Sequence, residues 1–289
     1  MELQQTIQWF PGHMTKMWRL MEKTLPAVDA VAELRDARIP YASANPDLDK
    51  RLGGKPRLVI LNKCTMADPD VTQQWIRHLK QNNIPSIAVD SRTGAGVQAF
   101  TPAIEELLSE KRKAMAQKGM VNRPLYVMVV GIPNVGKSSF INRMAHGSKA
   151  KVEDRPGVTR GNQWFTVSSG LRLLDTPGVL WPKFTDKTVA AHLAFTGAIR
   201  DEVLNCEELA CALFSVLAQA YPQELAARYK LDPLPEDPYQ ALQQIAQKRG
   251  MRLSGGEWDT DRAARTLLDE FRGAVIGKIS LERPGVQKG

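Results

Sequence analysis

The sequence predicts an α/β domain with a mostly parallel sheet, followed by a smaller all-helical domain. Two observations support this prediction. Continuous apolar segments of strand length, such as LYVMVV at residues 125–130, alternate with helical segments in the first part of the chain. That alternation is typical of parallel strands covered by helices on both faces. Beyond about residue 183 the periodicity is helical only, so we expect domains at residues 1–183 and 184–289.

Six strands are expected in the first domain, with helices between them. The strands lie in the segments VDAVAELRD, PRLVILN, IPSIAVD, LYVMVV, WFTVSS and LRLLD. Residues 69–82 predict an amphipathic helix with Pro69 in its first turn, and residues 96–118 predict one long helix with a basic end. A further helix, SSFINRMA, follows the loop after the fourth strand.

The second domain is predicted to contain three helices. The segment NCEELACALFSVLAQAY has Asn205 as its N-cap and Glu208 three residues later, as in a capping box. The segment DPYQALQQIAQKRG starts with an Asp cap and a proline and stops at Gly250. The third helix lies in DTDRAARTLLDEFRGAVIGK, and we expect the tail at residues 282–289 to be disordered.

Composition excludes some classes of protein. The three cysteines form no CxxC pair, which argues against a disulfide framework or a zinc site. No apolar run is long enough to span a membrane, and the first residues do not resemble a secretion signal, so we expect a cytoplasmic protein. The formal net charge of +8 favours a polyanionic partner, either nucleic acid or an anionic membrane surface. A solvated basic surface explains that charge equally well.

A phosphate-binding loop follows the fourth strand. The residues Gly131-x4-Gly136-Lys137-Ser138 match the Walker pattern, with a strand before them and a helix after. Glycines let backbone N–H groups turn toward phosphate oxygens, and the helix start adds its positive dipole end. Lys137 is predicted to contact the β and γ phosphates, and the Ser138 hydroxyl to ligate Mg²⁺.

Two further segments fit the same nucleotide site. LLDTPG ends an apolar strand in a DxxG box, where Asp175 would hold Mg²⁺ through water and the Gly178 N–H would meet the γ-phosphate. Between this box and the Walker loop lies RPGVTRG. Thr159 in that segment is expected to give its hydroxyl and carbonyl to Mg²⁺ and the γ-phosphate, as switch I does.

The loop that reads the base lies upstream of the phosphate loop. The base-reading pattern N/T-K-x-D usually follows the DxxG box. After Thr176 the only similar segment is YKLD, which lacks the asparagine and follows a helix. Asn62 and Lys63 instead end the second strand, and Asp90-Ser91-Arg92 supplies the second base loop, with an N–H directed at guanine O6. The usual order of these elements is therefore cut and rejoined. The pocket survives because the ends of parallel strands meet at one edge of the sheet, whatever order the chain visits them.

The sequence resembles the circularly permuted GTPases of the YlqF/RbgA type, the ribosome biogenesis GTPase A family. The resemblance covers residues 1 to about 200 and is weaker in the helical part. It is carried by the following segments: WFPGHM at 9–14, DARIP at 36–40, NP at 45–46, the NK pair, the Walker loop, PGVTR and DTPGVL.

This resemblance implies a function and a set of site residues. It implies GTP hydrolysis to GDP and phosphate, slow alone and stimulated by the ribosome, in late assembly of the large ribosomal subunit. The implied partner is that subunit and its rRNA, with no DNA and no stable membrane association, and we expect a monomer. The predicted nucleotide-binding residues are Asn62, Lys63, Ser91, Arg92, Asn134, Val135, Gly136, Lys137, Ser138, Ser139, Thr159 and Gly178.

One residue departs from the family pattern. The pattern is NKxD, but residue 65 is Thr. The missing carboxylate accepts two hydrogen bonds from guanine, and losing it costs about 1.5–3 kcal/mol of selectivity. Asp68 is close but three residues out of register. The alternative is that other contacts make this carboxylate dispensable.

Catalysis needs a polar group that the DxxG box does not provide. Val179 and Leu180 follow the box, and neither can orient a water molecule. The resemblance assigns that role to His13, which is otherwise an exposed loop residue. In related GTPases an asparagine at the position of Asn134 helps to bind K⁺, although a loop asparagine with an unusual backbone is an equal alternative.

The chain after Gly178 runs directly into the helical domain, so we hypothesise that nucleotide state sets the angle between the domains. On the last helix Arg262, Arg265 and Arg272 share one face and suit contacts with RNA phosphates. Two other functional classes remain open at this point. One is an RNA-binding scaffold with a vestigial nucleotide site, and the other is an ATPase or kinase that does not select guanine.

Overall fold

A single twisted sheet forms the centre of the protein. The computed structural model describes residues 13–146, 152–153, 163–181, 184 and 186–285. The strands are β1 (Ala30–Asp36), β2 (Arg57–Asn62), β3 (Ser86–Ala88), β4 (Leu125–Gly131), β5 (Val152–Glu153), β6 (Gln163–Ser168) and β7 (Leu171–Asp175). Their order across the sheet is β3-β2-β1-β4-β7-β6-β5.

The sheet is mostly parallel, as predicted. β1 pairs in parallel with both β2 and β4, β2 with β3, and β4 with β7. The hairpin of β6 and β7 is antiparallel, and the two-residue strand β5 extends it at the edge. The six predicted strands are all present. β5 is a seventh strand, which was not predicted because it has only two residues. The strand order reverses direction between β1 and β4, which in such sheets opens a crevice for ligands.

Helices cover both faces of the sheet and form the second half of the chain. In the first half they are α1 (His13–Thr24), α2 (Leu48–Leu52), α3 (Pro69–Gln81), α4 (Phe100–Leu107), α5 (Ser109–Gln117) and α6 (Lys137–His146). In the second half they are α7 (Lys187–Phe195), α8 (Cys206–Ala220), α9 (Pro222–Tyr229), α10 (Pro238–Lys248) and α11 (Thr260–Arg272). The expected long helix at 96–118 is thus divided at Leu108, and α7 and α9 add to the three helices expected in the second half.

Local sequence explains where these helices begin. The side chain of Asn205 accepts hydrogen bonds from the N–H groups of Glu207 and Glu208, so the predicted N-cap of α8 is present. Asp68 caps α3 in the same way, and a proline follows it at the first helical position. Asp237 precedes the proline that opens α10 and accepts from the Tyr239 N–H.

One hydrophobic core runs through both halves of the chain. It includes Val129 of β4 and Phe140 of α6, together with Leu193 of α7, Leu213 of α8 and Leu267 of α11. A smaller cluster on the other face packs β2 against α3 and contains Val59 and Trp75. Because apolar side chains of the two halves bury each other, the boundary at residue 183 stays a prediction. In the described part of the chain, no helix is both long and apolar enough to cross a membrane.

The expected disordered tail begins with Glu282, which is buried and hydrogen-bonded, so the expectation of disorder was wrong for that residue. Residues 286–289 of the tail lie outside the described residues. The Glu282 side chain accepts hydrogen bonds from the Tyr41 N–H (2.6 Å) and the Ala42 N–H (3.1 Å), and contacts His192 Nδ1 at 2.8 Å. Its backbone carbonyl accepts from the Trp75 indole at 3.0 Å. The burial of Glu282 has no local sequence signal, because every partner is distant along the chain.

Residues 279–281, just before that tail, contact the segment that follows Asn62. The Ile279 N–H donates to the Met66 carbonyl at 3.1 Å, and the Asp68 N–H donates to the Ser280 hydroxyl at 3.1 Å. The Leu281 N–H donates to the Arg38 carbonyl at 2.8 Å. These residues therefore lie against two loops of the sheet half and connect them to the helical half.

We expect Glu282→Ala to lower the free energy of unfolding by about 3 kcal/mol, because it leaves buried N–H donors without an acceptor. Urea denaturation monitored by tryptophan fluorescence measures this change. Arg283→Ala is the matched control, because Arg283 is exposed and adjacent. Equal stability of the two variants would contradict the structural role of Glu282.

Candidate functional site: a phosphate and base cleft at the sheet edge

The predicted site residues meet at the carboxyl edge of the parallel strands. Asn62 ends β2, Gly131 ends β4 and Asp175 ends β7. β3 ends at Ala88, two residues before Asp90. Since these strands are parallel, their carboxyl ends lie at the same edge. Loops that are far apart in sequence are therefore adjacent in space.

Asn62 connects the base loops to the phosphate loop. Its amide nitrogen donates to the Val135 carbonyl at 2.7 Å. Its amide oxygen accepts from the Ser91 N–H (3.0 Å) and the Ser91 hydroxyl (2.8 Å). Both groups of this amide are thus used, and the side chain is buried. A Cβ added to Gly136 would lie 2.4 Å from the Asn62 amide nitrogen, so this close approach requires glycine.

Lys137 lies inside the turn of the phosphate loop. Its ammonium donates to the carbonyls of Gly131 (3.1 Å) and Ile132 (2.9 Å). Burial lowers the pKa of Lys137 to about 8, although the neighbouring Asp175 carboxylate acts in the opposite direction. The loop therefore holds a buried cation at the start of α6, where the helix N-terminus adds further positive potential.

The DxxG loop packs directly on the phosphate loop. A Cβ added to Gly178 would lie 2.7 Å from Pro133 Cα and 3.0 Å from Lys137 Nζ, so no larger residue fits there. The Val179 N–H donates to the Gly131 carbonyl at 3.3 Å, and the Thr176 hydroxyl donates to the Val129 carbonyl at 2.5 Å. These contacts fix the DxxG loop beside Lys137.

Asp175 and Ser138 form a site that suits a hard divalent cation. The Ser138 hydroxyl is 3.4 Å from Asp175 Oδ2. Among the described residues, the buried Asp175 Oδ1 has no hydrogen-bond partner. Burial raises the pKa of Asp175, and the Lys137 ammonium opposes that shift. An unsatisfied buried carboxylate oxygen next to a hydroxyl fits Mg²⁺, which prefers oxygen ligands and is usually held by few protein groups.

A cleft of about 760 Å³ opens above these groups. The predicted residues that line it are Asn134, Gly136, Lys137, Ser138, Ser139, Asp175 and Gly178. Gln163 and Arg200 also line the cleft, and neither was predicted from the sequence. Gln163 begins β6, and Arg200 follows α7 in the helical half, so neither lies in a recognisable motif.

Asn134 links the phosphate loop to the helical half. Its backbone is left-handed, with φ of 57°. Its amide nitrogen donates to the Gly197 carbonyl at 2.6 Å, in the loop that precedes Arg200. Asn134 therefore has the unusual loop backbone that was one of its two predicted explanations, and its side chain also contacts the helical half.

On the base side of the site, several groups that were predicted to contact guanine are bonded to other protein groups. The Lys63 ammonium pairs with Asp36 at 3.0 Å. A backbone N–H of the loop Asp90-Ser91-Arg92 was expected to meet guanine O6. The Ser91 N–H donates to Asn62 Oδ1 at 3.0 Å and the Arg92 N–H to Asp90 Oδ1 at 2.8 Å, so a base would have to share either one. Thr65 donates its hydroxyl proton to Asp90 Oδ2. Asp68 cannot substitute for the missing carboxylate, because its side chain caps α3.

Two predicted catalytic residues, Thr159 and His13, fall wholly or partly outside the described residues. Thr159 lies outside the described residues. His13 is the first residue of α1, and its side chain also lies outside them. Farther along α1, Trp18 and Met21 line a small cavity together with Pro177 and Val179 of the DxxG loop. The helix that begins at His13 therefore packs beside that loop.

One of the predicted RNA-binding arginines is turned into the protein. Arg272 donates to the carbonyls of Phe195 and Ala194, each at 3.0 Å, and pairs with Asp201 at 2.6 Å. Its guanidinium is used to hold the loop after α7, so its assignment to RNA phosphates was wrong. Arg262 and Arg265 are exposed on α11, and Arg265 pairs with Asp261 at 2.8 Å.

Comparisons with known proteins agree with this geometry. The family model described as "50S ribosome-binding GTPase" matches residues 126–242. "Ribosome biogenesis GTPase A" of Priestia megaterium is 46% identical over 280 residues, which cover 96% of this chain and 97% of that relative. The protein of the same name from Bacillus licheniformis is 44% identical, over 96% of this chain and 98% of that relative. This chain belongs to the ribosome biogenesis GTPase A family.

A solved member of the same fold supports the assignment. The crystal structure of GNP-bound YlqF from T. maritima matches with a TM-score of 0.69 and 26% identity, over 93% of this chain and 99% of that one. The predicted family, fold and GTPase activity are thus confirmed. The family model begins inside β4 and leaves out β2, which ends at Asn62, and β3, which precedes the Ser91 loop. That is expected where this half of a GTPase domain precedes the phosphate loop instead of following it.

The pKa of Lys137 leads to a testable pH dependence. Phosphates bind the protonated amine, and a bound phosphate raises its pKa further. GDP affinity should therefore be constant below about pH 8 and fall by up to about tenfold per pH unit above it. Isothermal titration calorimetry between pH 7.5 and 9 measures this change.

Guanosine, which has no phosphate, is the control ligand and should show no comparable loss over the same range. A GDP dissociation constant that stays flat up to pH 9 would show that Lys137 does not titrate at the phosphate site.

Proposed function

We propose that this chain binds GTP in the cleft at the sheet edge, hydrolyses it to GDP and phosphate, and acts in assembly of the large ribosomal subunit. The observation that carries this proposal is the Asn62 amide, which joins the Ser91 loop to the Val135 carbonyl of the phosphate loop. GTP binding needs a base site beside a phosphate site, and Asn62 joins the loops that would form the two. The names of the relatives supply the ribosomal context.

The phosphate end of GTP would lie between α6 and the DxxG loop. Lys137 contacts the β and γ phosphates, and the backbone N–H groups of Gly136, Ser138 and Ser139 face phosphate oxygens at the helix start. The Gly178 N–H meets the γ-phosphate. The tight packing of Gly178 on Pro133 supports this role, because it places the DxxG backbone against the phosphate loop.

Mg²⁺ would be held by Ser138 and Asp175, with Thr159 as a further ligand from switch I. When bound, the cation would supply positive charge beside the phosphate oxygens. Asp175 Oδ1, which has no hydrogen-bond partner among the described residues, supports this assignment, since the cation or its water would satisfy that oxygen.

The attacking water needs a polar partner that the DxxG loop lacks. Val179 and Leu180 are buried, at 4% and 0% exposed, so they provide none. We assign this role to His13. The packing of Trp18 near Pro177 supports the assignment, because it brings α1 alongside the γ-phosphate side of the cleft. A ribosomal partner that positions His13 against the γ-phosphate would then stimulate hydrolysis.

Two positive charges are candidates for stabilising the transition state. The amide nitrogen of Asn134 is engaged by Gly197, which leaves the amide oxygen as a ligand for K⁺. Arg200 lines the cleft with Lys137 and Asp175 and comes from the loop that Asn134 and Arg272 hold. An arginine supplied from the same chain could neutralise the γ-phosphate charge, as arginine fingers do elsewhere.

The proposed partner is the large ribosomal subunit through its rRNA, with no DNA and no stable membrane association. The net charge of +8 and the exposed arginines of α11 support contacts to phosphates. Within this proposal residues 184–289 are the ribosome-binding domain, and the protein is a cytoplasmic monomer. The scaffold and the unselective NTPase are the outcomes that the following experiments would reveal instead.

Lys137→Ala should reduce GTP hydrolysis by at least about 100-fold, because it removes the cation at the phosphates. Phosphate release is measured with GTP and with ATP, with and without large ribosomal subunits, in K⁺ and in Na⁺. Lys113→Ala, on the exposed surface of α5, is the control and should hydrolyse GTP normally. Phosphate release that Lys137→Ala does not reduce would reject the proposed site, and an absence of release in the unmodified protein would favour the scaffold.

Arg200→Ala should lower kcat by about tenfold with little change in KM, since a charge that acts on the transition state affects turnover more than binding. Stopped-flow phosphate release under saturating GTP measures kcat. Arg77→Ala removes an exposed arginine of α3, outside the cleft, and should leave kcat unchanged. If both variants behave like the unmodified protein, Arg200 has no part in hydrolysis.

A further inference from the structure

The position that normally carries the base-reading carboxylate is linked to a second carboxylate. Thr65 stands at that position, half-buried, and its hydroxyl donates to Asp90 Oδ2. Asp90 is 2% exposed and belongs to the second base loop. The negative charge that residue 65 lacks is therefore one hydrogen bond away.

The loop holds Asp90 in this position from several sides. Asp90 Oδ1 accepts from the N–H groups of Arg92 (2.8 Å) and Thr93 (2.9 Å). From α6, Arg143 donates to the carbonyls of Ser91, at 3.2 Å, and of Arg92. Burial acts to raise the pKa of Asp90, but the hydrogen bonds from Thr65, Thr93 and Arg92 hold it below its ordinary value. The carboxylate is thus ionised at neutral pH, with Oδ2 left for Thr65.

The hydrogen bond to Asp90 decides whether the Thr65 hydroxyl donates or accepts toward a base. A free hydroxyl can rotate and either donate or accept. Once its proton is committed to Asp90, the Thr65 oxygen can only accept. Guanine presents N–H donors at N1 and N2, whereas adenine N1 is an acceptor. An oxygen that can only accept favours guanine and leaves adenine N1 unpaired, and unpaired polar groups in a site give strong discrimination.

We propose that Thr65 and Asp90 together replace the base-reading aspartate, with Thr65 as the acceptor for guanine and Asp90 as its charge. This inference rests on the proposed GTP site and identifies its specificity determinant. It also predicts that restoring the family residue alone is harmful. An aspartate at position 65 would lie against Asp90, and two adjacent carboxylates repel each other and cannot both ionise freely.

The test compares GDP and ADP binding by calorimetry at pH 7.5 with Mg²⁺. Both ligands use the same phosphate site, so their affinity ratio is insensitive to the fraction of protein that is folded. The variants are Asp90→Asn, Thr65→Val, Thr65→Asp and the double variant Thr65→Asp/Asp90→Asn. Asp90→Asn keeps an oxygen for the Arg92 and Thr93 N–H groups but presents an amide N–H to Thr65, which frees the threonine proton.

We expect Asp90→Asn and Thr65→Val each to lower the preference for GDP over ADP by about tenfold, the loss of one charge-assisted hydrogen bond. Thr65→Asp alone should bind GDP no more tightly than the unmodified protein. The double variant, in which the carboxylate has moved from residue 90 to residue 65, should regain at least the original GDP affinity.

An unchanged GDP preference in Asp90→Asn, or tighter GDP binding by Thr65→Asp alone, would overturn the inference. An unmodified protein that binds GDP and ADP equally would also overturn it, while the nucleotide site itself would stand. If the unmodified protein binds neither ligand, or if Lys137→Ala does not weaken binding, the proposed function fails as well. The two failures are therefore distinguishable.

Discussion

The nucleotide cleft depends on one buried amide. Asn62 has one donor group and one acceptor oxygen on its side chain, and both are used to join loops from different parts of the chain. If that amide were lost, a carbonyl of the phosphate loop and two groups of Ser91 would lose their partner, each at a cost of about 1–3 kcal/mol. The contact requires only that the strand ends meet, so it is indifferent to the order in which the chain supplies them. This is why a permuted chain can keep an intact pocket.

A second buried cluster couples the base loop to the helical half. Asp36 pairs with Lys63 at 3.0 Å and with Arg38 at 2.8 Å, and these cations hold its pKa well below the ordinary value although burial alone would raise it. Arg38 also donates to the carbonyls of Phe271 (3.4 Å) and Arg272 (3.2 Å) at the end of α11. The sequence pointed to the segment after Gly178 as the link between the domains. The structure adds direct contacts, from the base loop through Arg38 and from Asn134 through Gly197.

Much of the fold and of the phosphate site could be predicted because the signals are local. A strand followed by Gly131-x4-Gly136-Lys137-Ser138 specifies its own loop and helix, and Asn62 ends a short apolar segment that predicts a buried strand. The contacts that could not be predicted join distant residues. Thr65 meets Asp90 across 25 positions, and Glu282 meets Tyr41 across 241. Arg272 fits an exposed helix face by periodicity, yet it turns toward α7 because Asp201 and two carbonyls are there.

Two buried groups of opposite charge, Lys137 and Asp175, explain the chemistry of the phosphate cleft. Lys137 and Asp175 are both desolvated. Burial lowers the pKa of Lys137 and raises the pKa of Asp175, which favours the neutral form of each. Each partly stabilises the charge of the other, but the Asp175 Oδ1 still has no hydrogen-bond partner in the described part of the chain. Phosphate oxygens would supply the anion that Lys137 lacks, and a divalent cation would supply the charge that Asp175 lacks. Nucleotide and cation would therefore stabilise each other's binding. The phosphates would compensate the buried charge of Lys137, and the cation would compensate that of Asp175.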